Sequence, residues 1–372
     1  MKPANGNYII QLFEEWCPKA YAVEGDKVGL MIGTLNKPVN NVMVALDVVE
    51  EVVDEAIEKK VDLIIAHHPL LFRPLKSIDT ASGQGPIIEK CIKHDIAVYA
   101  AHTNLDIAEG GVNDMLADAL NLHNTEVLVP LFTVPLKKLV AFVPEDHVSE
   151  VRKALGGSGA GFIGDYSHCT FSTPGTGTFI PGEGTNPYLG DPGKMEFASE
   201  QRIETVVPEN ILNKVTKALI DSHPYEEPAY DIYPLELEGK MLGLGRIGEL
   251  DSSMSFESFI TKVKQAFGLR NVRVSGNVNK EVKKIAVLGG DGNKYWQAAK
   301  RLGADVYITG DVYFHTAHDA AMDGLTMLDP GHHVEQIMKN GVKSKLDEML
   351  GKSKYSTVIT ASSVSTEPFR FM

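Results

Sequence analysis

The stretch NVMVALDVVEEVVDEAIEKKVDLIIAHHP, residues 41–69, sets the fold class. NVMVALDVV (41–49) is β-branched and apolar, and EEVVDEAIEKK (50–60) carries apolar residues at helical spacing with charges between them. VDLIIAHHP then returns to an apolar run that stops at two histidines and a proline. Short apolar runs joined by an amphipathic helix describe a β-α-β unit with parallel strands. The alternation continues outward through GPIIEKCIKHD (85–95, helix), IAVYAAHTNLD (96–106, strand) and GGVNDMLADALNL (110–122, helix). It resumes from about residue 240 with KKIAVLGG (283–290, strand), NKYWQAAKRLG (helix), ADVYITGD (304–311, strand) and FHTAHDAAMDG (helix). LTMLDPGHHVEQIMKNG closes the series with a turn and a helix start.

Near residue 131 the character changes. KKLVAFVPEDHVSEVRKAL reads as strand, turn and helix, and a stretch dense in Gly, Pro, Ser and Thr follows over 156–194. RIETVVPENILNKVTKALIDSHPYEEPAYDIYPLE then repeats strand, helix, strand. Two such units describe a ferredoxin-like domain of about a hundred residues, with the Gly/Pro-rich stretch as its long hairpin and loop. The expected fold is therefore α/β. It is a two-half α/β domain with a parallel-rich sheet (1–130 and 238–372), interrupted by an inserted ferredoxin-like α+β domain (131–237).

Composition narrows the function classes. Hydrophobic residues make up 43% and charged residues 23%, ordinary for a globular chain long enough for two or three cores. No apolar run reaches the roughly 18 residues of a membrane span, and MKPANGNYIIQLFEEWCP does not read as a signal peptide. Cys17, Cys91 and Cys169 lie far apart with no CxxC, so a reducing cytoplasm is the expected compartment. A net charge of −13 argues against nucleic acid as a partner.

Ligands of open α/β sheets bind at the carboxyl ends of the strands, and here those ends collect imidazoles and carboxylates. One ends in His67, His68 and Pro69, and another in His102, Thr103, Asn104 and Asp106. A third ends in Gly310 and Asp311 with His315 near, and the turn at 329–333 supplies His332 and His333 ahead of Glu335. Adjacent strand residues point to opposite faces, and Pro69 stops the strand. His67 and His68 are thus placed to splay toward two neighbouring metal ions. Each cluster alone has a plainer reading: a surface turn for the His pair, a capped turn for Asp106, a helix-dipole contact for Glu335. Four together would require four independent accidents, and the sequence favours a metal centre. Imidazole with carboxylate suits Zn, Fe, Mn, Co or Ni. His332 and Glu335, at i and i+3, share a helix face, which favours His332 as ligand with His333 behind it. VLGGDGN (287–293) is either a donor cradle for an anionic ligand or a plain tight turn.

These pieces resemble the dinuclear-metal-centre family of GTP cyclohydrolase I type 2 homologs, related to the yeast NGG-one-interacting factor three. The resemblance is carried by IIAHHPLLF, AAHTNLDIAEGGVND, GLGRIGEL, VLGGDGN, DVYITGD and DPGHHVE, and it covers most of the chain. It implies two divalent metal ions per chain, with His67, His68 and Asp106 as N-terminal ligands and the GHH…E turn as the source of the C-terminal His and Glu. Shorter members place one more residue between that His and Glu than separates His332 from Glu335, so His332 and His333 both stay open. The resemblance further implies a PII/CutA-like insert and a toroidal homo-oligomer, a hexamer. Its name implies hydrolytic opening of the guanine imidazole ring of GTP with formate release, so the expected partner is a small-molecule substrate. A different metal-dependent phosphoesterase, or a metal-binding scaffold whose insert senses a small molecule or partner, fits the same residues.

Overall fold

A computed structural model describes residues 1–351 and 355–370. The chain forms two compact units, Met1–Leu131 with Leu242–Met372, and Phe132–Met241.

The first unit contains two mixed sheets where the sequence suggested one parallel-rich sheet. In the five-stranded sheet the order is Val358–Ala361, Asn41–Ala45, Leu63–Ala66, Ala97–Ala100, Gly29–Ile32. Its first three pairings are parallel, and Gly29–Ile32 closes the edge antiparallel. In the six-stranded sheet Glu281–Asp291, Val306–Gly310 and Thr326–Asp329 pair in parallel, flanked by antiparallel Arg273–Ser275 and Met241–Ser255. His123–Thr133 forms its far edge.

Alternation of side chains along a strand divides the first sheet between two cores. Val42, Val44, Leu63, Ile65 and Tyr99 share a core with Ile285, Val287, Val306, Ile308 and Leu328 of the second sheet. Met43, Ala45, Ile64, Ala66 and Val98 face the other way, onto Val52, Val53 and Ala56 of the helix Glu50–Glu58 and Ile88 and Cys91 of Gly85–Lys93. This two-sided burial is why Leu63–Ala66 and Ala97–Ala100 are apolar at every position. Sharing one core holds the two sheets together and brings the ends of their parallel strands to one region.

A buried ion pair ties the two halves of this unit. Arg246 is 5% exposed, and its Nη2 donates to Asp114 Oδ2 at 2.9 Å while Nε donates to Oδ1. Nη1 donates to the Gly245 and Gly243 carbonyls at 2.8 and 3.2 Å. Removing one partner of a wholly buried pair costs about 3 to 5 kcal/mol. The Asp114 side chain keeps 21% of its surface in water, so Asp114→Ala should cost about 2 kcal/mol, read as a shift in the urea midpoint. An unchanged midpoint would contradict this role.

The second unit has the order strand Leu136–Pro144, helix Val148–Gly157, strands Thr170–Phe179 and Glu196–Pro208, helix Leu212–Ser222, strand Tyr230–Pro234. Its antiparallel sheet runs fourth, first, third, second. Leu139, Ala141, Val143 and Ile203 of the sheet pack on Val151, Leu155, Val215 and Leu219 of the helices. The Gly/Pro-rich stretch supplies a strand of the hairpin whose arms meet at Phe179 and Glu196. Among the described residues no helix is long and apolar enough to cross a membrane.

Candidate metal centre

The strand Leu63–Ala66 ends where expected, but its ladder continues for two residues. The backbone N–H of His67 donates to Ala45 O at 3.1 Å, and that of His68 to Leu46 O at 2.9 Å. His67 is fully buried, and its Nδ1 donates to the Ala101 carbonyl at 2.8 Å. A carbonyl can only accept, so the proton sits on Nδ1 and Nε2 is aimed into the protein. There Nε2 has no hydrogen-bond partner, and neither does Asp106 Oδ1, which lies 3.6 Å away. Two buried polar atoms facing each other beyond hydrogen-bond reach cost free energy, and this spacing suits two ligands of one cation.

Asp106 sits on the short helix Thr103–Ile107, immediately after the strand Ala97–Ala100. Burial pushes its carboxyl up to about 6, the His67 charge opposing and the Glu335 charge adding. Glu335 is 2% exposed, and its Oε2 faces three imidazoles. His68 Nε2 lies at 3.1 Å, His332 Nε2 at 3.2 Å and His67 Nε2 at 3.8 Å. Burial alone would raise the Glu335 carboxyl, but the imidazoles hold it well below the usual range.

His332 and Glu335 meet because His332–Ile337 is a 3₁₀ helix, in which residues three apart eclipse. Two glycines clear the space beside Glu335. A Cβ on Gly289 would stand 2.8 Å from Glu335 Oε1, and one on Gly290 at 2.9 Å. Gly290 also has φ +62°, the left-handed region that glycine enters without penalty. The VLGGDGN turn is thus a close-packed turn. Its Gly289 and Gly292 N–H groups donate to Asn113 Oδ1 and Thr309 Oγ1, and Asn293 N–H to Asp291 Oδ1. Those donors are spent within the protein, which argues against the anion cradle.

Each imidazole is oriented from behind. His68 Nδ1 lies 2.6 Å from Asp47 Oδ1, His332 Nδ1 2.7 Å from Asp311 Oδ2, and His102 Nδ1 2.8 Å from Asp26 Oδ1. Asp311 holds its position with φ +52°, which a short polar side chain tolerates. Burial would lower His68, but the Asp47 and Glu335 carboxylates outweigh it and raise it to about 10. Glu335 chiefly, against burial and with Asp311, raises His332 to about 9. Burial likewise opposes, and the Asp106 and Glu335 carboxylates raise, His67.

The five residues singled out from sequence (His67, His68, Asp106, His332, Glu335) therefore converge. Their ligating atoms form the sets His67–Asp106–Glu335 and His68–His332–Glu335, with all such atoms of a set within 4.8 Å of one another. A third set adds His102 to His67 and His68. Sequence reasoning placed His102 at a strand end but assigned it no ligand role, although it was a third imidazole in the same position. It missed Asp26 and Asp47 altogether. His333 and His315 belong to none of these sets, and His333 Nε2 is buried without a hydrogen-bond partner. The orphaned His67 and Asp106 atoms, and a donor set of nitrogen and oxygen without sulfur, fit divalent cations of the Zn, Fe, Mn, Co or Ni kind.

Carboxylates behind ligating imidazoles fix the ring and strengthen the ligand, and removing one typically costs about 10 to 100-fold in metal affinity. Asp47→Ala should show a loss of that size in chelator competition, with the fold retained. An affinity equal to wild type would remove Asp47 from the site.

His68 and His332 also border a cavity of about 1120 Å³. Arg270, Arg273 and Arg370 stand on its wall, with Arg273 Nη2 paired to Asp329.

Comparison with known proteins places the chain in a family. The family described as Duf34/NIF3 (NGG1p interacting factor 3) matches residues 4–368. A protein of Halalkalibacterium halodurans named GTP cyclohydrolase 1 type 2 homolog is 60% identical, over 100% of both chains. Its namesake in Bacillus subtilis is 58% identical, again over 100% of both. The crystal structure of a Bacillus cereus protein related to NIF3 superposes with a TM-score of 0.91 at 56% identity, covering 100% of each chain.

Proposed function

The chain belongs to the Duf34/NIF3 family, and from that premise we propose a metal-dependent hydrolase that opens the imidazole ring of a guanine nucleotide such as GTP, releasing formate. The observation that carries this reading is the single Glu335 oxygen facing three imidazoles beside the unpartnered His67 and Asp106 atoms. His67, Asp106 and Glu335 would hold one divalent ion, and His68, His332 and Glu335 a second, with Glu335 shared. Bound there, such ions supply Lewis-acid polarisation and an activated water at neutral pH.

The chain's own residues bind and orient. Asp47, Asp311 and the Ala101 carbonyl hold the imidazoles by Nδ1, so that Nε2 faces inward. Arg270, Arg273 and Arg370 offer planar donors suited to phosphate oxygens, which is what favours a nucleotide over an uncharged substrate. His102, steadied by Asp26, is placed beside the His67 and His68 rings, at 5.4 and 5.8 Å between centroids, to hold or move a proton.

The second unit we read as a ferredoxin-like insert of PII/CutA-like type, on its β-α-β-β-α-β order and fourth-first-third-second sheet. The assembly we propose is a homohexameric ring, and light scattering giving any mass other than six chains overturns it.

Metal-loaded protein given GTP should release formate, and Asp106→Ala should abolish the release with circular dichroism unchanged. Phosphate in place of formate reassigns the site to a phosphoesterase. No turnover of any nucleotide leaves a metal-carrying scaffold or regulator.

A further inference from the structure

An open pocket of about 740 Å³, a size typical of small-molecule sites, lies in the second unit. Its chemistry differs from that of the imidazole cluster. Phe179, Tyr188 and Tyr225 form a connected aromatic lining, with ring centroids 5.9 Å apart for Phe179 and Tyr225 and 6.1 Å for Tyr188 and Tyr225. Three carboxylates, of Glu200, Glu226 and Glu227, line the same space against one guanidinium, that of Arg202. Arg202 is turned to a different acid, its Nη2 lying 3.1 Å from Glu204.

Glu200 is the telling residue. It is 7% exposed, and its Oε1 accepts a hydrogen bond from the Tyr225 hydroxyl at 2.9 Å. Among the described residues no Lys, Arg or His stands within ion-pair distance of it. His223 cannot supply the missing charge. Its Nδ1 accepts from the Tyr225 backbone N–H at 3.1 Å, so Nε2 carries the proton donated to Phe142 O at 2.9 Å, and the ring is neutral. Burial pushes His223 further in that direction. The glycine-rich strand passes beside the same carboxylate, and the bare Gly177 leaves room for Glu200 Oε2. A buried carboxylate without a cationic partner is costly, and aromatic walls attract cations through their ring faces.

We infer that this pocket binds a small organic cation, an ammonium or amidinium group on an apolar body, with its charge at Glu200 and its body against Phe179, Tyr188 and Tyr225. The inference is independent of the metal chemistry and is tested on metal-free, full-length protein. The probes are choline and benzyltrimethylammonium, with 3,3-dimethyl-1-butanol as the uncharged isostere of choline and ATP as an anionic competitor. Titration calorimetry should show the cations binding at least about tenfold more tightly than the isostere. Glu200→Gln keeps an acceptor for the Tyr225 hydroxyl and should weaken cation binding about tenfold or more. Tyr188→Leu, at a half-exposed position, should weaken it with circular dichroism unchanged. Equal binding of choline and its isostere, no binding of either cation, unchanged affinity in Glu200→Gln, or displacement of the cations by ATP would each overturn the proposal.

Discussion

Glu335→Gln should cost the protein its metal. The Glu335 Oε2 atom lies 3.1 Å from His68 Nε2, 3.2 Å from His332 Nε2 and 3.8 Å from His67 Nε2, in a residue 2% exposed. Glutamine keeps the shape but removes the charge, and it presents an amide with two donors to a place where cation ligands converge. Substituting a group that only supports a ligand costs about 10 to 100-fold. Glu335 is common to the two sets His67–Asp106–Glu335 and His68–His332–Glu335, so the loss should be at least about 100-fold, equivalent to about 3 kcal/mol. Metal content after dialysis against a chelator of known affinity measures it. A variant that retains wild-type stoichiometry and affinity would exclude Glu335 as a ligand and with it the shared-carboxylate arrangement.

How much of this was readable in advance depends on the range of the interactions. The alternation of Asn41–Ala45, Glu50–Glu58 and Leu63–Ala66 is written in local runs, because strands buried on both faces are apolar throughout. The division into two sheets is not local. Val358–Ala361, from the far end of the chain, completes the sheet begun by Asn41–Ala45, and nothing in VITA names its partner. The same contrast runs through the site. The i, i+3 spacing of His332 and Glu335 could be read as one face, and the 3₁₀ turn places them so. Asp26 supports His102 from 76 residues away, and Asp47 supports His68 from 21 away. Neither aspartate sits in a motif, so only the folded chain shows why it is there. The glycines of VLGGDGN signalled a special turn, but whether they served a ligand or a neighbouring side chain depended on Glu335, more than forty positions downstream.

The apparent metal affinity should rise steeply with pH, and the stability of the metal-free protein should fall over the same range. In the metal-free protein His68 is raised to about 10 and His332 to about 9, against 6.5 for an ordinary histidine. Both rings have Nδ1 committed to an aspartate, so a cation must displace the proton at Nε2. Binding at the His68–His332–Glu335 set therefore releases about two protons below pH 9, and affinity should climb about 100-fold per pH unit. Calorimetry in buffers of different ionisation enthalpy counts those protons. The linkage to folding has the opposite sign. A folded-state pKa above the unfolded value of 6.5 stabilises the fold fully below pH 6.5, and that contribution is lost as pH rises through about 9 and 10. Metal-free protein should accordingly melt at lower temperature at pH 9.5 than at pH 6.5, whereas fully loaded protein, whose two Nε2 atoms carry no proton, should hold its stability nearly level over that range, the gain in affinity offsetting the loss. Parallel pH profiles with and without metal would mean that the ion does not compete for these two nitrogens. The convergence of His68 and His332 on Glu335 would then be an ion-pair network that serves the fold alone.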